Sequence, residues 1–278
     1  MAQKQTTKTE ETALTPPPNG TTALAAFDYG DDAGGGYEHQ DKDDTAIPFL
    51  NCLQANSPLV SEAKNKNARP GMIWNSVTDQ LYDGDHGVVF VPATTRHNYT
   101  EFVPRTAGGG FKGSHETDSE LVAKLRQNGA FGKLTTPDGN ELIETFYVYG
   151  VVCDAAGNPE SMAVVAFSST KIKAYKKWMT MLRSFQITMP NGRRATPPLF
   201  AHVSVLGTEV QKNEKGVFHV FTARPFKSSV AESLLAPDHP AYVMARQCRD
   251  LVDKGTAKAD YSRQQDAAGS ADPEAAPF

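Results

Sequence analysis

What constrains this chain most is a cadence of β-branched and aromatic runs, each short and each cut off by a cluster of turn-forming residues. The clearest run is 142–153, LIETFYVYGVVC, with PDGN before it and DAAGNP after it. Residues 162–167, MAVVAF, follow at hairpin distance. A longer strand is predicted over 87–102, where Arg96, Asn98 and Thr100 alternate with His97, Tyr99 and Glu101; Pro92 inside it predicts an edge or a bulge. Shorter strands are expected at 45–51 and 72–74, and a second hairpin at 199–210 and 217–223 around QKNEKG. Because successive glycines free the backbone, TAGGGFKGS at 106–114 predicts a mobile loop.

Helical spacing is clear in one place, 169–185, where Ile172, Tyr175, Met179 and Leu182 recur on one face below a Ser168 or Ser169 cap. A short helix at 119–127 and a helical 228–254, interrupted by APDHP, complete the reading. Many short strands with one amphipathic helix predict a mainly β (α+β) fold, an oligonucleotide-binding-like β-barrel with a C-terminal helical segment, with a β-sandwich as the alternative.

Charge divides the chain further. Residues 1–45 hold three basic and nine acidic residues beside a Pro run and a Gly run, and 255–278 hold two basic and four acidic. Both ends are expected to be disordered acidic arms around one folded domain, 46–254. The whole chain has a net charge of -4, yet that central part is net basic.

Within it, residues 161–208 hold Lys171, Lys173, Lys176, Lys177, Arg183, Arg193 and Arg194 and not one Asp or Glu. Protein surfaces normally mix the two signs, so such a segment points to an anionic partner. The plain alternative is that the lysines coat the solvent face of a helix and the arginines decorate the turn PNGRR. A second pattern runs from Arg96 through Tyr99, Phe102 and Arg105 to Phe111 and Lys112, basic residues interleaved with rings. Single-strand binders pair a cationic groove for phosphates with rings that stack bases, and Trp178, Tyr147 and Tyr149 are further candidate rings.

Other chemistries find little support. No Gly-rich loop with its Lys and Ser/Thr is present for an NTPase, and the seven histidines lack zinc-hydrolase spacing. No cofactor is implied and no structural metal is expected; His115, Glu116 and Asp118 are the one loop cluster that a metal-dependent nuclease would use. Cys52, Cys153 and Cys248 are odd in number and widely spaced, which predicts free thiols in a reducing compartment. No apolar stretch is long enough to cross a bilayer and the first 20 residues have no secretory pattern, so a soluble cytoplasmic protein without a membrane partner is expected.

The segments GMIWNSVTDQLYDG, VVFVPATTRHNYTEFVPR, GGGFKGSHE and SSTKIKAYKKWMTMLRS together resemble the single-stranded DNA-binding proteins of tailed bacteriophages, over roughly residues 46–252. The Pro277-Phe278 end, with Asp272 and Glu274 near it, is similar to the tips through which bacterial single-strand binding proteins recruit replication enzymes. The resemblance implies an oligonucleotide-binding barrel that coats template in the infected host cell during phage replication or recombination, catalyses nothing, and recruits phage replication proteins through its tail.

Together these readings predict sequence-independent binding of single-stranded DNA. Lys171, Lys173, Lys176, Lys177, Arg183, Arg193 and Arg194, with Arg96, Arg105 and Lys112, would meet phosphates, and Tyr99, Phe102 and Trp178 would stack on bases. Two rivals stand beside this: a virion structural protein with flexible arms, and the nuclease built on His115.

Overall fold

The computed structural model describes residues 35–36, 46–127, 133–213, 216–256 and 259–264, and the described residues from 46 onward belong to one compact unit. In chain order its elements are β1 (Phe49–Cys52), α1 (Pro58–Ser61), β2 (Ile73–Asn75), β3 (Leu81–Tyr82), β4 (Val88–Phe102), β5 (Phe111–Glu116), α2 (Glu120–Gln127), β6 (Lys133–Thr135), β7 (Glu141–Cys153), β8 (Pro159–Ser168), α3 (Ile172–Ser184), β9 (Ile187–Thr188), β10 (Arg194–Ala195), β11 (Ser204–Asn213), β12 (Gly216–Pro225) and α4 (Pro240–Asp253).

The fold is mainly β. One curled sheet runs β12-β11-β4-β7-β8-β1-β2-β3, with β5 beside the far half of β4 and β6 beside β7, while β9 and β10 form a separate hairpin. All of its pairings are antiparallel except β1 with β8. β4 and β7 form the spine. β4 is about 50 Å long at the usual rise per residue, and its register slips between Pro92 and Thr94, at the residue with no N–H to give to a ladder.

The expectation of a mobile loop at 106–114 needs correction. Gly108, Gly109 and Gly110 have φ of 105°, 68° and 116°, a region where only glycine is unstrained. Their freedom turns the chain back rather than leaving it loose, and 111–116 become β5, paired with β4 from Asn98 to Phe102. The second correction is at 228–254, where the helix starts only at Pro240. The APDHP segment begins that helix instead of interrupting it: Pro240 sits in the first turn and His239 Nδ1 accepts the Ala241 N–H at 3.2 Å.

The two margins of the sheet meet at a seam. The Gln54 carboxamide, just past β1, donates to the His219 carbonyl of β12 at 2.9 Å and accepts the His219 N–H at 2.8 Å, standing in for the peptide group of a neighbouring strand. Nearby, the Thr208 N–H of β11 donates to the Gly84 carbonyl. A Cβ on Gly84 would lie 2.1 Å from the Thr208 hydroxyl and from the Gly71 carbonyl, so the seam closes only on glycine.

The resulting half-barrel is filled from inside by α3. Its Trp178 and Leu182 pack with Leu50, Phe90, Val148, Phe167, Leu206 and Phe221 of the concave face. On the convex face, α4 covers Val91, Ala93 and Val151 through Ala241, Ala245 and Cys248. At the far end of the spine, Val122 of α2 packs on Tyr99, Leu134 and Leu142. The three cysteines are buried and free.

The folded unit also continues past the expected boundary at 254. Ala259 bridges Ile47, the Tyr261 ring meets Phe49 edge-on at 5.0 Å, and Arg263 pairs with Asp79 at 2.8 Å beneath the Trp74 ring. Among the described residues, no helix is long and apolar enough to cross a membrane.

Candidate nucleic-acid interface

Helix α3 has one wet face and one dry face because its residues alternate at helical spacing. Trp178 and Leu182 point into the half-barrel, each 2% exposed, while Lys173, Lys176, Lys177 and Arg183 are exposed on the opposite arc. Arg193 and Arg194 are exposed on the β9–β10 hairpin that follows directly. Among the described residues none of these six cations is paired with a carboxylate, whereas Arg96, Lys112, Lys124, Arg249 and Arg263 all are. No carboxylate among the described residues therefore reaches these cations at salt-bridge distance. Lys171 is half-buried before the helix, near the seam. Burial pushes the Cys52 thiol up to about 11, and the Lys171 charge partly offsets that rise.

Arg96 and Phe102 lie on the convex face, across the sheet from α3. The Arg96 guanidinium is held by Asp253 of α4, and Phe102 packs edge-on against Phe111, which stacks on Tyr261 at 3.8 Å. Lys112 is occupied by Glu101 at 3.3 Å and Asp138 at 3.7 Å. The predicted single trough thus divides in two, and among the described side chains only its α3 half keeps unpaired cations. The Arg105 side chain and the tail residues Asp272, Glu274, Pro277 and Phe278 lie outside the described residues.

Two of the predicted stacking rings are core residues. Trp178 is 2% exposed and donates its indole N–H to Ser204 Oγ at 2.9 Å, and Tyr99 is 3% exposed beneath the Arg126 guanidinium. Neither offers a face to a base, because each lies on the inward side of its element, where apolar area drives burial. Tyr147 is likewise buried, and its hydroxyl is hydrogen-bonded to Thr100.

A different group of rings occupies the concave face. Phe146 of β7 is sandwiched between Tyr175 of α3, at 4.6 Å and 26°, and His97 of β4, at 3.9 Å and 12°. His97 Nε2 is hydrogen-bonded to Glu144 at 2.8 Å. The cross-strand registers His97↔Phe146 and Tyr99↔Glu144 put this column and the residues under α2 on one face of the spine. The column therefore lies between α2 and α3. Nothing local in the sequence marks its members, because the pairing of β4 with β7 and the seating of α3, both non-local, create it.

The histidine of the nuclease rival is committed elsewhere. His115 Nε2 lies 2.7 Å from a Glu101 carboxylate that also accepts from Asn140 at 2.6 Å. Burial alone would raise the Glu101 carboxyl, but hydrogen bonds from His115, Asn140 and Lys112 outweigh it and hold it below the usual carboxylate range. Among the described residues no group of three His, Cys, Asp or Glu side chains could hold a metal ion.

Over residues 17–258 the sequence matches the family described as Pam3 phage gp34-like protein. The chain belongs to that family. The match covers every strand and helix of this gp34-like fold, and it makes the chain a phage protein, the coarser part of the tailed-phage resemblance. No curated protein and no solved structure matches the chain.

Proposed function

We propose that this phage protein binds single-stranded DNA without sequence preference, with the phosphates running along the exposed face of α3. The observation that carries the reading is the set of cations Lys173, Lys176, Lys177 and Arg183, continued by Arg193 and Arg194, none of them ion-paired with a carboxylate among the described residues. Keeping like charges together without counter-ions costs free energy in the unliganded protein, and a polyanion relieves that cost while releasing its own condensed cations. A curled β half-barrel with a helix inside is also, coarsely, the shape of an oligonucleotide-binding barrel.

In this reading the protein coats exposed template in the infected cell during replication or recombination, has no reaction of its own, and offers its acidic C-terminal tail to phage replication proteins. Anisotropy titrations with labelled single-stranded DNA, duplex DNA and RNA of equal length, each at several salt concentrations, test it. Tightest binding to the single strand, weakening steeply with salt, is the expected result. Binding to none of the three, or binding that ignores salt, refutes it.

A further inference from the structure

We propose that the bases of the bound strand stack on the free face of His97, adding a fourth layer to the Tyr175–Phe146–His97 column. This inference rests on the single-strand reading and names where its bases go. Three observations lead to it. One imidazole face is covered by Phe146 and the Nε2 edge is held by Glu144, so the exposure of the side chain, 37%, falls on the remaining face and edge.

That face also looks away from β7, toward a stretch where β4 has no strand neighbour. On that side β4 pairs with β11 only from Val88 to Phe90 and with β5 only from Asn98 to Phe102. A flat group can approach His97 there without displacing a strand. Finally, the elements that carry the column also carry cations. Lys173, Lys176 and Lys177 lie within two residues of Tyr175, and Arg126 of α2 sits 5.5 Å above Tyr99, two residues from His97 on the same face of β4. Rings at stacking distance from one another, on elements that also bear exposed cations, suit a ligand that is alternately planar and anionic. The Glu144 contact fixes the plane of the imidazole, so no rotamer freedom is lost when a base arrives.

The test uses the full-length protein and three variants, with oligothymidylate and an abasic oligonucleotide of the same length as probes. Wild type is expected to prefer the thymidylate. His97→Ala should lower affinity for thymidylate by about 5- to 150-fold, the range of one lost stack, and leave the abasic probe and the salt dependence unchanged. His97→Phe, which keeps a flat ring, should retain the preference. Lys176→Gln should weaken both probes alike and reduce the salt dependence, a signature of charge rather than stacking. If His97→Ala keeps the full preference for thymidylate, or wild type binds both probes equally, the stacking site is wrong while phosphate binding stands. If wild type binds neither probe, the single-strand reading itself falls.

Discussion

Replacing Lys173, Lys176, Lys177 and Arg183 together with glutamine is the sharpest perturbation of the proposed interface, because all four are exposed and none is paired among the described residues. Each single-strand phosphate that a cation neutralises contributes about 0.7 to the slope of log affinity against log salt. With four contacts from α3 and two from Arg193 and Arg194, wild type should show a slope of about -4, a loss of about 300-fold between about 50 and 200 mM salt. The quadruple variant keeps two contacts, so its slope should shrink to about -1.4 and its loss to about 7-fold. Glutamine is close to lysine in helix propensity, and exposed substitutions of this kind shift stability by no more than about 0.5 kcal/mol each. Relief of the like-charge repulsion should leave the quadruple variant at least as stable as wild type in circular-dichroism melts, which separates lost binding from lost folding. Anisotropy titrations of labelled oligothymidylate across the salt series give both slopes. A quadruple variant whose slope stays near -4 would place the phosphates elsewhere and remove the basis for the proposed function.

Trp178→Phe should cost about 2 kcal/mol in urea denaturation, because it strands the buried Ser204 hydroxyl, yet leave DNA affinity unchanged; a selective loss of affinity would mean that the indole reaches a base after all. Truncation after Gln264 should leave the melting temperature where it is, whereas truncation after Lys254 should lower it by removing Tyr261 and Arg263 from their contacts with Phe49 and Asp79. Equal melting of the two truncations would contradict the docking of 259–264. His202 is buried, its Nδ1 has no hydrogen-bond partner among the described residues, and burial pushes its pKa down from 6.5 to about 4. The unfolded chain therefore takes up this proton first as pH falls, so stability should be lost progressively from about pH 6.5 toward about pH 4. His202→Leu should flatten the denaturation profile across that window, and an unchanged profile would assign the acid sensitivity to other groups.

The parts of the fold legible in the sequence are those set by local chemistry. The β7–β8 hairpin announces itself through turn residues at both ends of a β-branched run, and α3 through apolar residues at helical spacing. The bulge at Pro92 follows from a missing N–H. Elsewhere the same residue types admit two outcomes. A glycine triplet suits a loose loop as well as a reversal, and only the pairing of 111–116 with β4 selects the reversal. Of the site, the exposed cations of α3 were legible because charge segregation survives folding wherever no distant acid reaches it. Arg96 and Lys112 were not, since their partners Asp253 and Asp138 are far away in sequence. The rings were least legible of all: whether Tyr99 or His97 of β4 meets solvent depends on where α2 and α3 come to rest.

In the proposed function helix α3 is stopper and grip at once, with Trp178 and Leu182 seated in the half-barrel and Lys173, Lys176, Lys177 and Arg183 turned outward. Consecutive residues of an α-helix point about 100° apart, so a slip of a single position would swing the lysines toward Phe90 and Phe167 and lift the indole into water. The packing inside thereby sets the aim of the charges outside, and variants that loosen the stopper are expected to blur the grip even when every lysine is still in place.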